Sequence, residues 1–118
     1  MTDAVALGEV LAAERASTTE QIGILRKDLA EIINASVSVA TDDEHDPEGV
    51  TIAFERAQVA ANLQRARTRL EDLDWAIERL NEGDYGRCER CGQPIAPERL
   101  AARPAARTCI ACATRGAR

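Results

Sequence analysis

Four cysteines stand in two C-x-x-C pairs, Cys88-Glu89-Arg90-Cys91 and Cys109-Ile110-Ala111-Cys112, with seventeen residues between the pairs. A two-residue spacing lets both sulfurs of a pair face one side of a tight turn, and two such turns complete a tetrahedron around one metal ion. Zn²⁺ suits that donor set, because its structural sites are closed by four sulfur or nitrogen ligands. The reading is therefore one structural Zn²⁺ held by Cys88, Cys91, Cys109 and Cys112. Gly92 follows the first pair, where a knuckle needs a residue that tolerates positive φ. With four thiolates there is no open position for water, so metal-assisted hydrolysis is not expected and His45 is not needed as a ligand. A thiol redox switch is the alternative. A thioredoxin-like centre, however, uses one C-x-x-C pair in a βαβ context that this sequence lacks.

A second group of charged residues lies in Thr41-Asp42-Asp43-Glu44-His45-Asp46-Pro47. Taken alone, Asp42, Asp43, Glu44 and Asp46 read as a solvated loop with one helix cap. Arg87, Arg90, Arg99, Arg103 and Arg107, around the cysteines, read as solvated surface rather than as a patch for an acidic partner or a phosphate. No nucleophile–base pair, phosphate loop or open metal site points to an enzyme.

The elements that carry these groups follow from periodicity. Leu7, Leu11, Ile22, Leu25, Leu29, Ile32 and Val39 recur at spacings of three and four, with Thr18 and Ser36 at intervening seam positions. Ile52, Val59, Leu63, Ala66, Leu70, Leu73, Ile77 and Leu80 form a second stripe. Narrow stripes of this kind pack one helix on another. Pro47 disfavours helical geometry at Asp46 and cannot continue a preceding helix, so the chain turns back here. Asp46 can cap the second helix, with Pro47 at its first position. An apex near residues 44 and 45 sets Leu11 near Ile77, Leu25 near Leu63 and Leu29 near Val59. The second helix, residues 47–82, would extend roughly 50 Å at about 1.5 Å per residue and stop at Gly83. Ser17-Thr18-Thr19-Glu20 reads as a capping box that could start a new helix, and Gly23 is a second weak point in the first. The expected fold is mainly α. A long antiparallel helical hairpin over residues 1–83, with an acidic tip at about 41–48, precedes a small C-terminal zinc-finger domain over 84–118.

Composition sets the bounds. Aromatic residues make up 3% of the 118 residues, with one Trp, one Tyr and one Phe, which argues against a large globular core. No apolar run approaches the roughly 20 residues needed to cross a bilayer, and Asp3 stands where a secretory signal would carry positive charge. A soluble cytoplasmic protein is expected, and four cysteines in a reducing compartment point to metal rather than disulfides. The net charge of −5 divides into −10 over residues 1–84 and +5 over residues 85–118. Duplex DNA is a poor partner for most of such a surface. Between the cysteine pairs little could fold unaided, with Tyr85, Ile95, Leu100 and Ile110 the main apolar residues, so metal must supply much of the folding free energy there.

Tyr85-Gly86, Cys88-Glu89-Arg90-Cys91-Gly92, Ile95, Arg99-Leu100, Ala102-Arg103-Pro104, Ala106 and the pair Cys109/Cys112 resemble the zinc-finger region of the DksA/TraR proteins. The match is close over about residues 83–113, and the preceding helices match in kind more than in residues. The resemblance implies a protein that binds bacterial RNA polymerase by inserting its coiled coil into the secondary channel, without binding promoter DNA specifically. Acidic residues at the coiled-coil tip then approach the catalytic centre, and some members act together with the alarmone ppGpp. The family pattern at the tip is Asp-x-x-Asp-x-Ala. Here Asp43-Glu44-His45-Asp46-Pro47-Glu48 supplies both aspartates without the alanine, and a second alignment sets Asp46 on the first aspartate and Gly49 on the second. On this resemblance the tip acids are Asp43 and Asp46, with Asp42 and Glu44 beside them. The expected function is a non-catalytic transcription regulator that binds RNA polymerase. The alternatives are a zinc-finger DNA-binding module and a structural coiled-coil adaptor.

Overall fold

The structure is a computed structural model that describes residues 4–39 and 47–116. Four helices follow in order: α1 (Ala4–Val39), α2 (Pro47–Glu82), α3 (Pro97–Ala102) and α4 (Ile110–Arg115). The fold is mainly α, an antiparallel helical hairpin followed by a four-cysteine segment. The acidic residues Asp42, Asp43, Glu44 and Asp46 lie outside the described residues. No described helix is long and apolar enough to cross a membrane.

Helix α2 begins at Pro47, where the fixed φ suits a first helical position and the missing N–H costs nothing. It ends in a Schellman closure: Gly83 N–H donates to Leu80 O (3.2 Å) and Asp84 N–H to Arg79 O (2.8 Å), with Gly83 at φ 83°. Helix α1 runs unbroken through Ser17 and Gly23. The capping box at Ser17 is thus not used, because Thr18 is 3% exposed and holds a seam position instead of opening a new helix.

Two compact units divide the chain, Met1–Ser17 with Arg69–Arg118 and Thr18–Thr68, and both long helices contribute to each. In the first unit Leu11, Leu73 and Ala76 are fully buried, with Leu7, Trp75, Ile77, Leu80, Tyr85 and Ala105 packed around them. The expected neighbourhood of Leu11 and Ile77 is therefore present. A Cβ on Gly8 would lie 3.6 Å from Leu80, while Arg15 pairs with Asp74, so numbers rise along one helix as they fall along the other. Arg69 to Glu14 is a second cross-pair at 2.5 Å. These exposed pairs fix register more than they stabilise.

In the second unit Thr18, Ile22, Leu63 and Ala66 are buried. Ile32 and Ala35 of α1 and Ile52 and Val59 of α2 line one shallow groove, rimmed by Asp28, Glu31 and Glu55. Among the side chains described, the seam positions read from spacing are all buried or partly buried. Ala76, beside Ile77, is buried as well, because the seam of the first unit is wider than a two-residue stripe.

Candidate metal centre

The cysteine segment starts from two left-handed glycines. Gly86, at φ 89°, turns the chain so that Arg87 bridges Pro94 and Ile95 N–H reaches Gly86 O (2.7 Å). Gly92, at φ 76°, closes the first knuckle: Gly92 N–H donates to Cys88 O and Cys88 N–H to Gln93 O, both at 2.9 Å. A residue with a Cβ is strained at either position. The second pair is placed by α4, which begins after Cys109 and carries Cys112 in its first turn. Ile95, 3% exposed, packs with Cys88 and Cys112, and Leu100 and Cys109 close the cluster. Ile110 instead faces solvent.

These turns bring the four sulfurs within 4.8 Å of one another, and Cys91 Sγ stands 3.8 Å from Cys109 Sγ. A regular tetrahedron with Zn–S near 2.3 Å has an edge of about 3.8 Å, whereas a disulfide needs about 2.05 Å. All four cysteines are free. The donor set and spacing fit a tetrahedral S₄ ion.

The thiols conflict without a cation. Burial works to raise the Cys88 thiol, but N–H groups of Cys91, Cys109 and Arg90 outweigh it and bring it to about 6. The Gln93 N–H works to lower Cys91, yet burial and the three neighbouring sulfurs push it up to about 11. Cys109 is lowered, chiefly by the N–H of Cys112. One sulfur ionises at the expense of another, since like charges this close cannot all form. A divalent ion removes that conflict. Charge-lowering contacts are already built: Arg90 and Cys91 N–H groups approach Cys88 Sγ at 3.4 and 3.5 Å, and Arg115 approaches Cys112 Sγ at 3.5 Å.

Arg99 and Arg107 depart from their reading as solvated surface, whereas Arg87, Arg90 and Arg103 are exposed as expected. Arg99 Nε donates to Thr108 O (2.9 Å), and Arg87 donates to Gly92 O (3.0 Å). Arg107 reaches α2, with Nε to Asp72 Oδ1 at 2.8 Å, a second nitrogen to Glu71 O at 3.3 Å, and its guanidinium over the Trp75 ring at 5.1 Å. Its remaining nitrogen meets Glu89, between Cys88 and Cys91, at 3.5 Å. Tyr85 adds a further tie, donating its hydroxyl to Pro104 O at 2.7 Å. Sequence reasoning missed Asp72, Trp75 and Arg107 as a group. Their only local signal was an aromatic residue among acids on α2.

The prokaryotic dksA/traR C4-type zinc-finger description matches residues 83–115. An uncharacterized protein of Aquifex aeolicus is 48% identical over 44 residues, covering 37% of this chain and 30% of the relative. The RNA polymerase-binding transcription factor DksA of Escherichia coli is 29% identical over 93 residues, covering 75% of this chain and 62% of the relative. The structure of transcription factor DksA2 from Pseudomonas aeruginosa superposes with a TM-score of 0.71 at 26% identity, covering 96% of this chain and 81% of that one. Residues 83–115 are a zinc finger of the DksA/TraR type, and the fold over 96% of the chain is that of DksA2. It spans 30% and 62% of the length of the two curated relatives described. The family likeness extends from the finger, where the motif match lies, into the helices: 93 aligned residues cannot fit within the 33 residues of 83–115.

Proposed function

We propose that this protein regulates transcription by binding bacterial RNA polymerase, and that it acts by contact rather than by a catalytic step of its own. The observation that carries this reading is the 29% identity over 93 residues to proteins named as RNA polymerase-binding transcription factors, since it takes in hairpin and finger together. In this reading the hairpin enters the secondary channel, and Asp43 and Asp46, with Asp42 and Glu44 beside them, act electrostatically near the polymerase active site. The sequence supports it with an acidic turn between two facing helical stripes. Cys88, Cys91, Cys109 and Cys112 hold one structural Zn²⁺ that orders the segment from residue 84 onward, as a closed thiolate shell would. Sequence-specific DNA binding is not part of the function, and ppGpp is a candidate co-regulator. The protein works in the cytoplasm, where its partner is.

The test separates binding from action. Asp43→Asn with Asp46→Asn removes charge while keeping size and much of the capping ability. Purified RNA polymerase should still retain the doubly substituted protein in a pull-down at one fixed salt concentration, and transcription in vitro, with and without ppGpp, should lose most of the response. Unchanged regulation would sink the tip mechanism. Failure of the unsubstituted protein to bind polymerase would sink the whole reading.

A further inference from the structure

Besides Tyr85 and Ala105, which pack on the Leu73 and Ala76 cluster, the cysteine segment meets α2 through Arg107, a side chain whose three guanidinium nitrogens all have partners. Arg107 stands two residues before Cys109, on the approach to the second pair. Its carbonyl accepts the Glu89 N–H at 2.8 Å, and its guanidinium returns to the Glu89 carboxylate at 3.5 Å. Residue 107 thus ties the approach of one pair to the middle of the other. From the same guanidinium Nε reaches Asp72 at 2.8 Å and a further nitrogen reaches Glu71 O at 3.3 Å. The plane lies over Trp75, which Arg79 covers as well, with its guanidinium 5.6 Å from the ring centre. A planar fork with five donors can make all these contacts at once, whereas an ammonium cannot.

We propose that Arg107 is the positioning residue that couples metal occupancy of the four-cysteine site to the packing of helix α2. The coupling rests on the zinc reading above. It runs through groups that have fixed partners on both sides. With the ion bound, the two knuckles are held together and Arg107 can reach Glu89, Asp72 and Trp75 in one conformation. When the ion leaves, the tie between residues 89 and 107 loosens, and the guanidinium loses its fixed base on Asp72 and the indole. The reverse follows by linkage: packing Arg107 on α2 tightens binding of the ion. Asp72 is then a determinant of metal retention although it sits sixteen positions before the first cysteine. Nothing in the C-x-x-C spacing assigns it that role.

The experiment uses the full chain reconstituted with Zn²⁺, a chromogenic chelator to time zinc release, and the emission of Trp75, the single tryptophan. In the wild type, zinc release and the change in Trp75 emission should share one rate. Asp72→Asn and Arg107→Gln should each speed release by about tenfold to a hundredfold, the usual effect of removing a group that orients metal ligands. The double substitution should add little to either single one, because both break the same contact. Arg107→Lys should not restore the wild-type rate. Should Arg107→Gln fail to fold, Asp72→Asn carries the comparison, since it keeps size and removes only charge on a half-exposed helix face. Zinc release from Asp72→Asn at the wild-type rate, or Trp75 emission unmoved as zinc leaves the wild type, would overturn the coupling. A reconstituted wild type that holds no zinc would overturn the zinc reading and the coupling with it.

Discussion

Leu73→Ala tests whether the helical seam, rather than metal alone, holds the first unit together. Leu73 is 0% exposed and sits with Leu11 and Ala76 at the centre of a cluster that also takes in Trp75 and Tyr85. The substitution removes three carbon atoms. At about 0.8 kcal/mol per buried methylene the transfer loss is about 2.4 kcal/mol. The cavity left behind adds to it, so the expected loss is about 3 kcal/mol, within the range of about 2–5 kcal/mol found for buried leucines. With a urea slope near 2 kcal/mol per molar, the midpoint should fall by about 1.5 M. The assay is urea unfolding with saturating zinc, followed by helicity and by Trp75 emission. Val10→Ala is the control, because that side chain on α1 is 46% exposed and should cost less than about 0.5 kcal/mol. A loss at Leu73 no larger than at Val10 would refute the reasoning and leave the metal as the main support of this unit.

Two further outcomes are expected at the cysteines. Metal is bound by thiolates, so protons compete with it: Cys91, held at about 11, must give up its proton on capture at any ordinary pH, and below about 6 Cys88 must do so too. Apparent zinc affinity, measured by chelator competition from pH 5.5 to 8.5, should therefore fall by at least about tenfold per unit as pH drops, more steeply below pH 6; a flat profile would contradict the assignment of Cys91 as a ligand. Gly92→Ala places a Cβ in open space but at φ 76°, so its effect is that of the backbone alone, about 1–2 kcal/mol. It should appear as faster zinc loss with the helicity of α1 and α2 unchanged, and zinc retention equal to the wild type would show that the first knuckle does not depend on its left-handed residue.

Much of the architecture was written locally. The ends of α2 followed from Pro47 and Gly83, each of which restricts its own backbone whatever surrounds it. The two stripes told which face of each helix turns inward, because spacings of three and four return a side chain to the same side of a helix. The paired C-x-x-C motifs told which four sulfurs would meet, since each pair is bound by a turn only four residues long. Ser17 marks the limit of such signals: its capping box is outweighed by the burial of Thr18, which only the facing helix provides. Arg107 marks it more sharply. Its partners Asp72 and Trp75 lie 35 and 32 positions away in the chain, and an exposed-looking arginine carries no mark of the carboxylate and the indole that folding will set against it. Local chemistry determined the elements and the metal-binding residue types. Tertiary packing decided which charges become fixed contacts, because a guanidinium gains a defined partner only when distant backbone holds that partner within reach.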